Sequence, residues 1–525
     1  MASRRDELNA YTFAKRRTVA AFLQPSATGT EEGAPRPLRA VVPGLVVGAL
    51  VVAGFGAWGM FKPQAPKGWD EPGTQVIVGK QSTTRYVVLT TKVNGKDQTR
   101  LHPVLNLASA RLLLDPAKFK VVQIDDKILD AGKPPRGPII GIPYAPDRLP
   151  APADAGKAKR WAVCQQPGGN GKAVQTAAFV LADREARLMD DGRKTTDTQV
   201  LYVQNTGGAK ERYLVDAAGT KYRFPEGTAD AATITTALVG TGATPQPVTE
   251  QWLATLTPGD DLAFPQLPGK AGEKAAVQGL GTADGKVGMV LTAQTGSGTQ
   301  YYVVLPDRVA PVSEFTAWLL ISAPAADGLD MHGRAHEVDL QSLNPDATPF
   351  KSDAKWPQRK AAQVNRVTAA PGSAAGAALR DTVCAVLRSV DGQGNPTLST
   401  WAGTGFPVDI AASGTGAYVT PGSGLLYTQV QGRQTTAGGS TFLVTDTGLR
   451  YAVQANGDSD AEQSGIGAGG PKQPGTGDGR PEASQAQIRL GYGAVTPAMV
   501  PIAWSEFLSK GPRLDTNSAR QPQGS

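Results

Sequence analysis

The residues of this chain that could do chemistry are few, and the first candidates are three lysines that follow glycines. A common phosphate-binding loop has the spacing G-x-x-x-x-G-K-[ST] after a strand, because its backbone N–H groups cradle the phosphates and its lysine reaches them. Lys80, Lys172 and Lys286 lack both the first glycine and the Ser or Thr after the lysine. All three are predicted to lie in hairpin turns, and no cofactor is predicted.

The three histidines, His102, His332 and His336, give little support for a metal site. His332 and His336 have the i, i+4 spacing of two ligands on one helix, but Gly333 lies between them and no third ligand is near. Neither cysteine has an evident base beside it, and no G-x-S-x-G elbow occurs. No catalytic or metal-binding residue is predicted, and the histidines are expected at the surface or in loops.

The composition narrows the class of protein. Of 525 residues, 62 are Gly and 40 are Pro, which is typical of a fold rich in strands and turns. The net charge of +7 comes from 53 Lys and Arg scattered among 46 Asp and Glu. Because these charges form no basic stripe, nucleic-acid binding is not predicted.

One stretch without any charged residue, "AVVPGLVVGALVVAGFGAWGMF" at 40–61, predicts a single transmembrane helix. As a helix it would rise about 33 Å, enough for a hydrocarbon core of about 30 Å. A cleaved signal peptide is the alternative, but the apolar run is too long, begins too late and lacks an A-x-A site. Seven Lys and Arg precede the run and only Lys62 and Lys67 follow it closely, which places the N-terminus in the cytoplasm. Gly44 and Gly48 would let another helix approach closely.

The two cysteines, Cys164 and Cys384, fall in the part predicted to be exported, and each ends a short apolar strand pattern. A disulfide between them is the economical interpretation in an oxidising compartment. Two buried free thiols are the alternative.

A phrase of twelve residues occurs twice, as "YLVDAAGTKYRF" at 213–224 and as "FLVTDTGLRYAV" at 442–453. Each predicts a hairpin with Gly219 or Gly448 at a positive φ, preceded by another strand and followed by a short helix marked by Trp252 or Trp504. Two weaker copies keep the same order. The predicted fold is therefore α+β and β-rich, with four ββ(β)α repeats in an elongated exported region around a central disulfide-linked β domain.

The predicted domains follow in chain order. They are a cytoplasmic basic amphipathic segment (1–39), the transmembrane helix (40–61), a linker (62–74), repeat 1 (75–150), the first part of the central domain (158–192), repeat 2 (196–268), repeat 3 (272–345), the second part of the central domain (346–410), repeat 4 (415–513) with a flexible insert (455–485), and a disordered tail (514–525).

The stretch Arg4–Leu23 predicts an amphipathic helix with basic and apolar residues that could lie on an anionic leaflet or bind a partner. Together with the apolar run, "LHPVLNLASARLLL", "GIPYAPDRLP" and W-x-V-C at Trp161, this stretch closely resembles EccB, a core membrane component of actinobacterial type VII (ESX) secretion systems. The resemblance extends from Arg4 to about Leu514.

The resemblance implies a single-pass inner-membrane protein with a periplasmic C-terminal region, in an export channel with EccC, EccD and EccE. It implies that the exported region dimerises, that peptidoglycan contact is possible, and that Cys164 and Cys384 pair. Membrane or partner contact is predicted for the basic segment and the small-residue face, namely Arg4, Arg5, Tyr11, Phe13, Arg16, Arg17, Gly44 and Gly48.

Three functions remain open at this stage. The favoured one is a structural subunit of the secretion complex. Some members of the family are labelled ATPases, so an envelope ATP hydrolase is the second, although no phosphate-loop residues are present to receive that label. A cell-wall-binding membrane protein is the third.

Overall fold

The computed structural model describes residues 3–23, 38–61, 65–93, 95–168, 173–296, 298–366, 379–410, 416–432, 439–454, 466 and 484–523, with the side chains of 38–40, 57 and 59–61 excepted. The chain divides into two compact units. One contains Met1–Trp69, Gly79–Thr83 and Gln123–Lys133, and the other contains Asp70–Val78, Thr84–Val122 and Pro134–Ser525.

Two long helices make up most of the first unit. The predicted amphipathic segment forms α1 (Arg4–Leu23), and the apolar run lies in the 24-residue helix α2 (Leu38–Phe61), which contains Pro43. None of the helices in the described part of the chain combines the length and the apolar character that a membrane crossing requires.

The remaining elements follow in chain order. The first sheet and its helices are β1 (Gln75–Gly79), β2 (Arg85–Val93), β3 (Lys96–Pro103), α3 (Leu107–Leu113), β4 (Lys120–Ile124), α4 (Asp126–Leu129) and α5 (Pro152–Ala155). The strands β5 (Arg160–Gln166) and β6 (Gln175–Leu181) come next. The second sheet and its helices are β7 (Gln199–Asn205), β8 (Arg212–Val215), β9 (Thr220–Arg223), α6 (Ala231–Val239), β10 (Gln246–Val248), α7 (Glu250–Leu253) and β11 (Thr257–Pro258).

The second half of the chain continues in the same way. The third sheet and its helix are β12 (Val290–Thr295), β13 (Gly298–Val304), β14 (Val309–Val312), α8 (Glu314–Ser322) and β15 (His336–Glu337). Four strands follow, β16 (Ala362–Gln363), β17 (Thr382–Val390), β18 (Pro396–Gly403) and β19 (Ala417–Val419). The last sheet and its helices are β20 (Leu425–Val430), β21 (Thr441–Val444), β22 (Leu449–Ala452), α9 (Gln485–Arg489), β23 (Ala498–Pro501), α10 (Ile502–Ser505), β24 (Ser509–Lys510) and α11 (Thr516–Ala519).

Four of these sheets share a core of three antiparallel strands, which is the repeated unit. In the second and fourth sheets the orders are β10-β7-β8-β9-β11 and β23-β20-β21-β22-β24, so short parallel strands close both edges. The first and third sheets have the orders β3-β2-β1-β4 and β14-β13-β12-β15. The predicted ββ(β)α unit omitted the closing strands, because segments of two to four residues show no period-2 pattern.

The fifth sheet, the central sheet, has the order β18-β17-β5-β6-β19. Its adjacent strands β5 and β17 come from distant parts of the chain, since β5 precedes the second and third sheets and β17 follows them. The predicted start of repeat 4 at 415 is wrong, because β19 pairs in parallel with β6 of the central sheet.

The boundaries of two other predicted segments are also wrong. The segment from 346 does not join the central sheet, because Asp346 and Phe350 bond to the third sheet and β16 pairs with β7 of the second. The linker ends before 74, because Gly73 donates its N–H to Val88 O at 2.8 Å.

The predicted disordered tail at 514–525 is wrong as well. Residues 516–519 form α11, whose N-cap Asp515 is fully buried and accepts from the Ser518 N–H at 2.8 Å. This helix contacts α3 of the first sheet. Most of the predicted flexible insert, 455–485, lies outside the described residues; Ile466 within it is buried and pairs with Thr91.

The buried side chains show how the sheets stack in the second unit. One cluster combines Trp161 and Val163 of the central sheet with residues of the second and fourth sheets, among them Trp252 and Trp504. Separate clusters join the fourth sheet to the first, and the second sheet to α8 of the third repeat. One face of the central sheet thus packs against both the second and the fourth repeats, while the third repeat packs against the second and the first repeat against the fourth.

Candidate functional site

The three histidines lie in two repeats, His102 in the first and His332 and His336 in the third. His102 is fully buried, and its ring nitrogens lie 3.0 Å from Thr91 Oγ1 and 3.0 Å from Pro138 O. Burial lowers the pKa of this imidazole. His102 was expected at the surface or in a loop, and that expectation is wrong. The sequence around His102 gave no sign of this burial, because its partner Pro138 is 36 residues away.

His332 is exposed, whereas His336 lies near an acidic cleft in the third repeat. His336 pairs in β15 and its Nδ1 lies 3.0 Å from Asp284 Oδ1. The open cleft beside it has a volume of about 460 Å³, and Asp284, Glu337 and Asp339 are among its lining residues. Its carboxylates would repel a nucleotide triphosphate. No group of His, Cys, Asp and Glu able to hold a metal ion occurs among the described residues.

Among the glycine-lysine pairs that are described, Lys80 lies in the turn between the antiparallel strands β1 and β2, as the sequence predicts, whereas the hairpin turn predicted at Lys286 is wrong. Lys80 follows directly after β1, and Lys286 lies in a loop where it forms an isolated bridge with Lys274. Lys172 lies outside the described residues.

The two cysteines are directly opposite each other in the central sheet, where β5 and β17 run antiparallel. Cys164 and Cys384 form a disulfide and both are fully buried, in a cluster with Phe179 and Trp401. The bond therefore joins the two halves of the split sheet. The opposite face of that sheet carries the packing against the second and fourth repeats.

A buried polar network beside the disulfide holds the second repeat against the central sheet. Gln165 donates to Thr249 Oγ1 at 2.7 Å and accepts from the Thr249 N–H at 2.9 Å. Gln246 donates to the carbonyl of Asp381 at 2.6 Å, and Asn365 donates to Gln246 at 3.1 Å. Gln165, Gln246 and Asn365 are fully buried, so loss of one partner leaves an unsatisfied amide. Gln165 follows Cys164 in the sequence, but its partner is 84 residues away.

The fourth repeat meets the segment before the central sheet through Asp154. Its carboxylate lies 3.0 Å from the buried Lys159 Nζ and accepts from Ser423 Oγ at 2.8 Å and from the Gly424 N–H at 3.0 Å. Burial raises the pKa of Asp154, but these donors together outweigh it and hold the pKa below its ordinary value.

The second repeat and the fourth repeat each contain the same close internal contact, between a glycine and a tyrosine ring. A Cβ on Gly259 would lie 2.5 Å from Tyr222 Cε1, and a Cβ on Gly511 would lie 2.5 Å from Tyr451 Cε1. Both tyrosines are the tenth residue of the repeated phrase. In both repeats the twelve-residue phrase therefore forms a hairpin, and its tyrosine ring packs against the glycine that directly follows the closing strand.

The residues predicted for membrane or partner contact lie on α1 and α2. Tyr11 is 69% and Phe13 50% exposed, and the four arginines on α1, Arg4, Arg5, Arg16 and Arg17, are exposed as well. A Cβ on Gly44 or Gly48 would meet nothing within 4 Å. The described structure thus leaves these surfaces without a covering contact.

A family model described as "Type VII secretion system ESX-1, transport TM domain B", the EccB family, matches residues 1–524. The chain belongs to the EccB family. Among EccB relatives, "ESX-1 secretion system ATPase EccB1" of Mycobacterium tuberculosis is 31% identical over 55% of this chain and 55% of its own length. The chain thus spans about half the length of that curated relative. "ESX-3 secretion system ATPase EccB3" of Mycolicibacterium smegmatis is 29% identical over 79% of this chain and 76% of its own length.

Solved EccB structures share this fold. An intact ESX-5 inner membrane complex contains a chain with a TM-score of 0.55 and 20% identity, covering 100% of this chain and 96% of that one. The EccB3 dimer from the ESX-3 core complex gives a TM-score of 0.54 at 22% identity, covering 85% of this chain and 99% of that one. At these identities the likeness supports the fold.

Proposed function

We propose that this chain is a structural subunit of a type VII (ESX) secretion complex in the inner membrane. The family match over residues 1–524 carries the proposal. The contacts agree with it, because the buried histidine, the disulfide and the buried amides all bond to other parts of the fold. The exported repeats then form part of the extracytoplasmic channel.

We infer that α2 is the single membrane anchor, with the N-terminus in the cytoplasm and the C-terminal region that follows α2 in the periplasm. The helix has 24 residues, and no charged residue occurs between Arg39 and Lys62. Apolar side chains along it, such as Leu45 at 70% and Phe55 at 76%, are exposed. Lipid would cover them at a gain of about 25 cal/mol per Å². Gly44 and Gly48 would then admit a neighbouring helix.

The basic helix α1 would serve as the cytoplasmic contact, through the residues Arg4, Arg5, Tyr11, Phe13, Arg16 and Arg17. The proposed partners are subunits of the EccC, EccD and EccE type, and a second copy of this chain through the exported region. Solved complexes of relatives, an ESX-5 inner membrane complex and an EccB3 dimer, support these assignments.

The test is affinity purification of the full chain from its own cells in mild detergent, with identification of the copurifying proteins and measurement of ESX-dependent secretion. Membrane subunits are expected to copurify, and deletion of residues 1–61 is expected to abolish both copurification and secretion. A control chain with Gly405→Ala, a position where a Cβ meets nothing within 4 Å, should behave as wild type. Normal secretion without residues 1–61 would contradict the proposal.

An ATP hydrolase is the second candidate, because the names of the relatives include the word ATPase. The described residues contain no phosphate-binding loop, so we expect the purified full chain to have no ATPase activity above that of a heat-denatured sample. Turnover that one point substitution abolishes, with the fold intact, would establish the hydrolase instead.

A further inference from the structure

The two copies of the repeated phrase treat their ninth residue, which is basic in both, very differently. This residue is Lys221 in the second repeat and Arg450 in the fourth. Both lie on the third strand of the repeat, two residues after the glycine of the hairpin turn. Each cation lies over the ring of the first residue of its phrase, Lys221 at 5.8 Å from Tyr213 and Arg450 at 5.3 Å from Phe442.

In the second repeat the cation is compensated. Lys221 Nζ donates to the carbonyl of Leu253 at 2.8 Å. Burial lowers its pKa, and the carboxylates of Glu211 and Glu250 act in the opposite direction. A half-buried ammonium with two carboxylates nearby needs no further partner.

In the fourth repeat the corresponding cation is more deeply buried and less well compensated. Arg450 is only 4% exposed. Its Nη1 donates to Ser505 Oγ at 2.6 Å, which in turn lies 2.6 Å from Tyr427 Oη. Its Nε has no hydrogen-bond partner, and no Asp or Glu of the described residues forms an ion pair with it. A guanidinium has five N–H donors, and a buried charge without a counter-ion is costly.

At the positions of the fourth repeat that correspond to the carboxylates of the second, the sequence has uncharged residues. Two residues before the first residue of each phrase, Glu211 is replaced by Ser440. Two residues before the marker tryptophan, Glu250 is replaced by Ile502. On the closing strand, the parallel partner of the base changes from Pro258 to Lys510.

These exchanges remove two negative charges and add a positive one around a buried arginine. Lys510 is exposed and pairs directly with Arg450, so it marks the side on which the site meets solvent. Such a combination, a preorganised guanidinium and an exposed ammonium, suits a carboxylate that accepts from both.

We propose that Arg450, Ser505 and Lys510 form a binding site for a carboxylate group. The carboxylate can come from two sources. One is the acidic run Asp458, Asp460 and Glu462, which begins six residues after the end of β22 in the same chain. The other is an acidic side chain or a small carboxylate of a separate molecule. In either case a carboxylate is held against the fourth repeat.

The test uses the full chain in detergent and sodium [¹³C]formate as the probe, with the formate linewidth measured by NMR at constant ionic strength. A second chain has residues 457–482 replaced by a Gly-Ser linker, which removes the acidic run. Arg450→Met is made in both chains. Lys221→Met is the matched control in both, because it removes the equivalent base from the repeat that has its own carboxylates.

If the carboxylate comes from a separate molecule, the full chain is expected to bind formate. Arg450→Met is then expected to weaken formate binding about tenfold or more, whereas Lys221→Met is not. If the carboxylate comes from the acidic run in the same chain, formate is expected to bind only after residues 457–482 are replaced by the linker, and this binding depends on Arg450 in the same way. If Arg450→Met fails to fold, Arg450→Lys serves in its place and is expected to weaken binding, because lysine lacks the planar fork. The proposal is wrong if neither chain shows formate binding that depends on residue 450.

Discussion

Breaking the disulfide between Cys164 and Cys384 is expected to destabilise the central sheet strongly. The bond closes a loop of 220 residues, and for a loop of that length the chain-entropy relation gives about 5 kcal/mol at 25 °C. That value is an upper bound here, because contacts such as Trp252 Nε1 to Val163 O at 2.9 Å also tie the loop to β5. A loss of about 2 to 4 kcal/mol is expected. With a urea m-value of about 3 kcal/mol per M, the midpoint falls by about 1 M.

The assay is urea unfolding followed by tryptophan fluorescence, because Trp161 and Trp401 are both buried in the central sheet. Oxidised chain is compared with chain that was reduced in denaturant and refolded with reductant, the thiol count being checked by mass. The double variant Cys164→Ala, Cys384→Ala separates the cross-link from packing. Equal midpoints for oxidised and reduced chain would refute the reasoning. A loss seen in the alanine variant alone would assign the effect to the cavity left by the sulfur atoms.

Three further predictions concern the packing of the repeats. Gly511→Ala should lower the free energy of unfolding by about 1 to 3 kcal/mol, because its Cβ would meet the buried ring of Tyr451 at 2.5 Å, whereas Gly405→Ala should be neutral in the same urea titration. The pKa of Asp154 is depressed in the folded state, so its contribution to the free energy of unfolding is present above its unfolded pKa of about 3.9 and is lost as the pH falls through the folded value. Asp154→Asn should therefore destabilise the chain at pH 7. In a series of melts at different pH values, the variant should also lose less stability on acidification than the wild type. Truncation after Arg513 should lower the melting temperature, and an unchanged melt would show that α11 contributes nothing.

The sequence predicts those features of the fold that local chemistry determines. The hairpins around Gly219 and Gly448 follow from a glycine between two alternating runs, and both glycines have a positive φ, 76° and 77°. The marker tryptophans Trp252 and Trp504 lie in α7 and α10 as the short helix patterns indicate. These elements need only a few neighbouring residues to form.

Features that depend on distant partners could not be predicted in this way. The closing strands β11 and β24 have two residues each and exist because a neighbouring strand pairs with them. The sequence of the tail is polar and short, yet Asp515 caps the helix α11, which contacts the remote helix α3. The candidate site shows the same division: the cysteines are evident in the sequence, while the partners of His102 and Gln165 lie 36 and 84 residues away.

Because β5 and β17 of the central sheet are far apart in the sequence, they are synthesised at different times. β5 leaves the ribosome long before β17, and at about 5 to 20 residues per second the wait for 220 residues is about 10 to 45 s. During that interval the second and third repeats can each complete their own meander, while β5 has no β17 to pair with and its thiol is free. Since the chain has 2 cysteines, no wrong bond within one molecule is possible. The hazard at this stage is a bond to a second nascent copy.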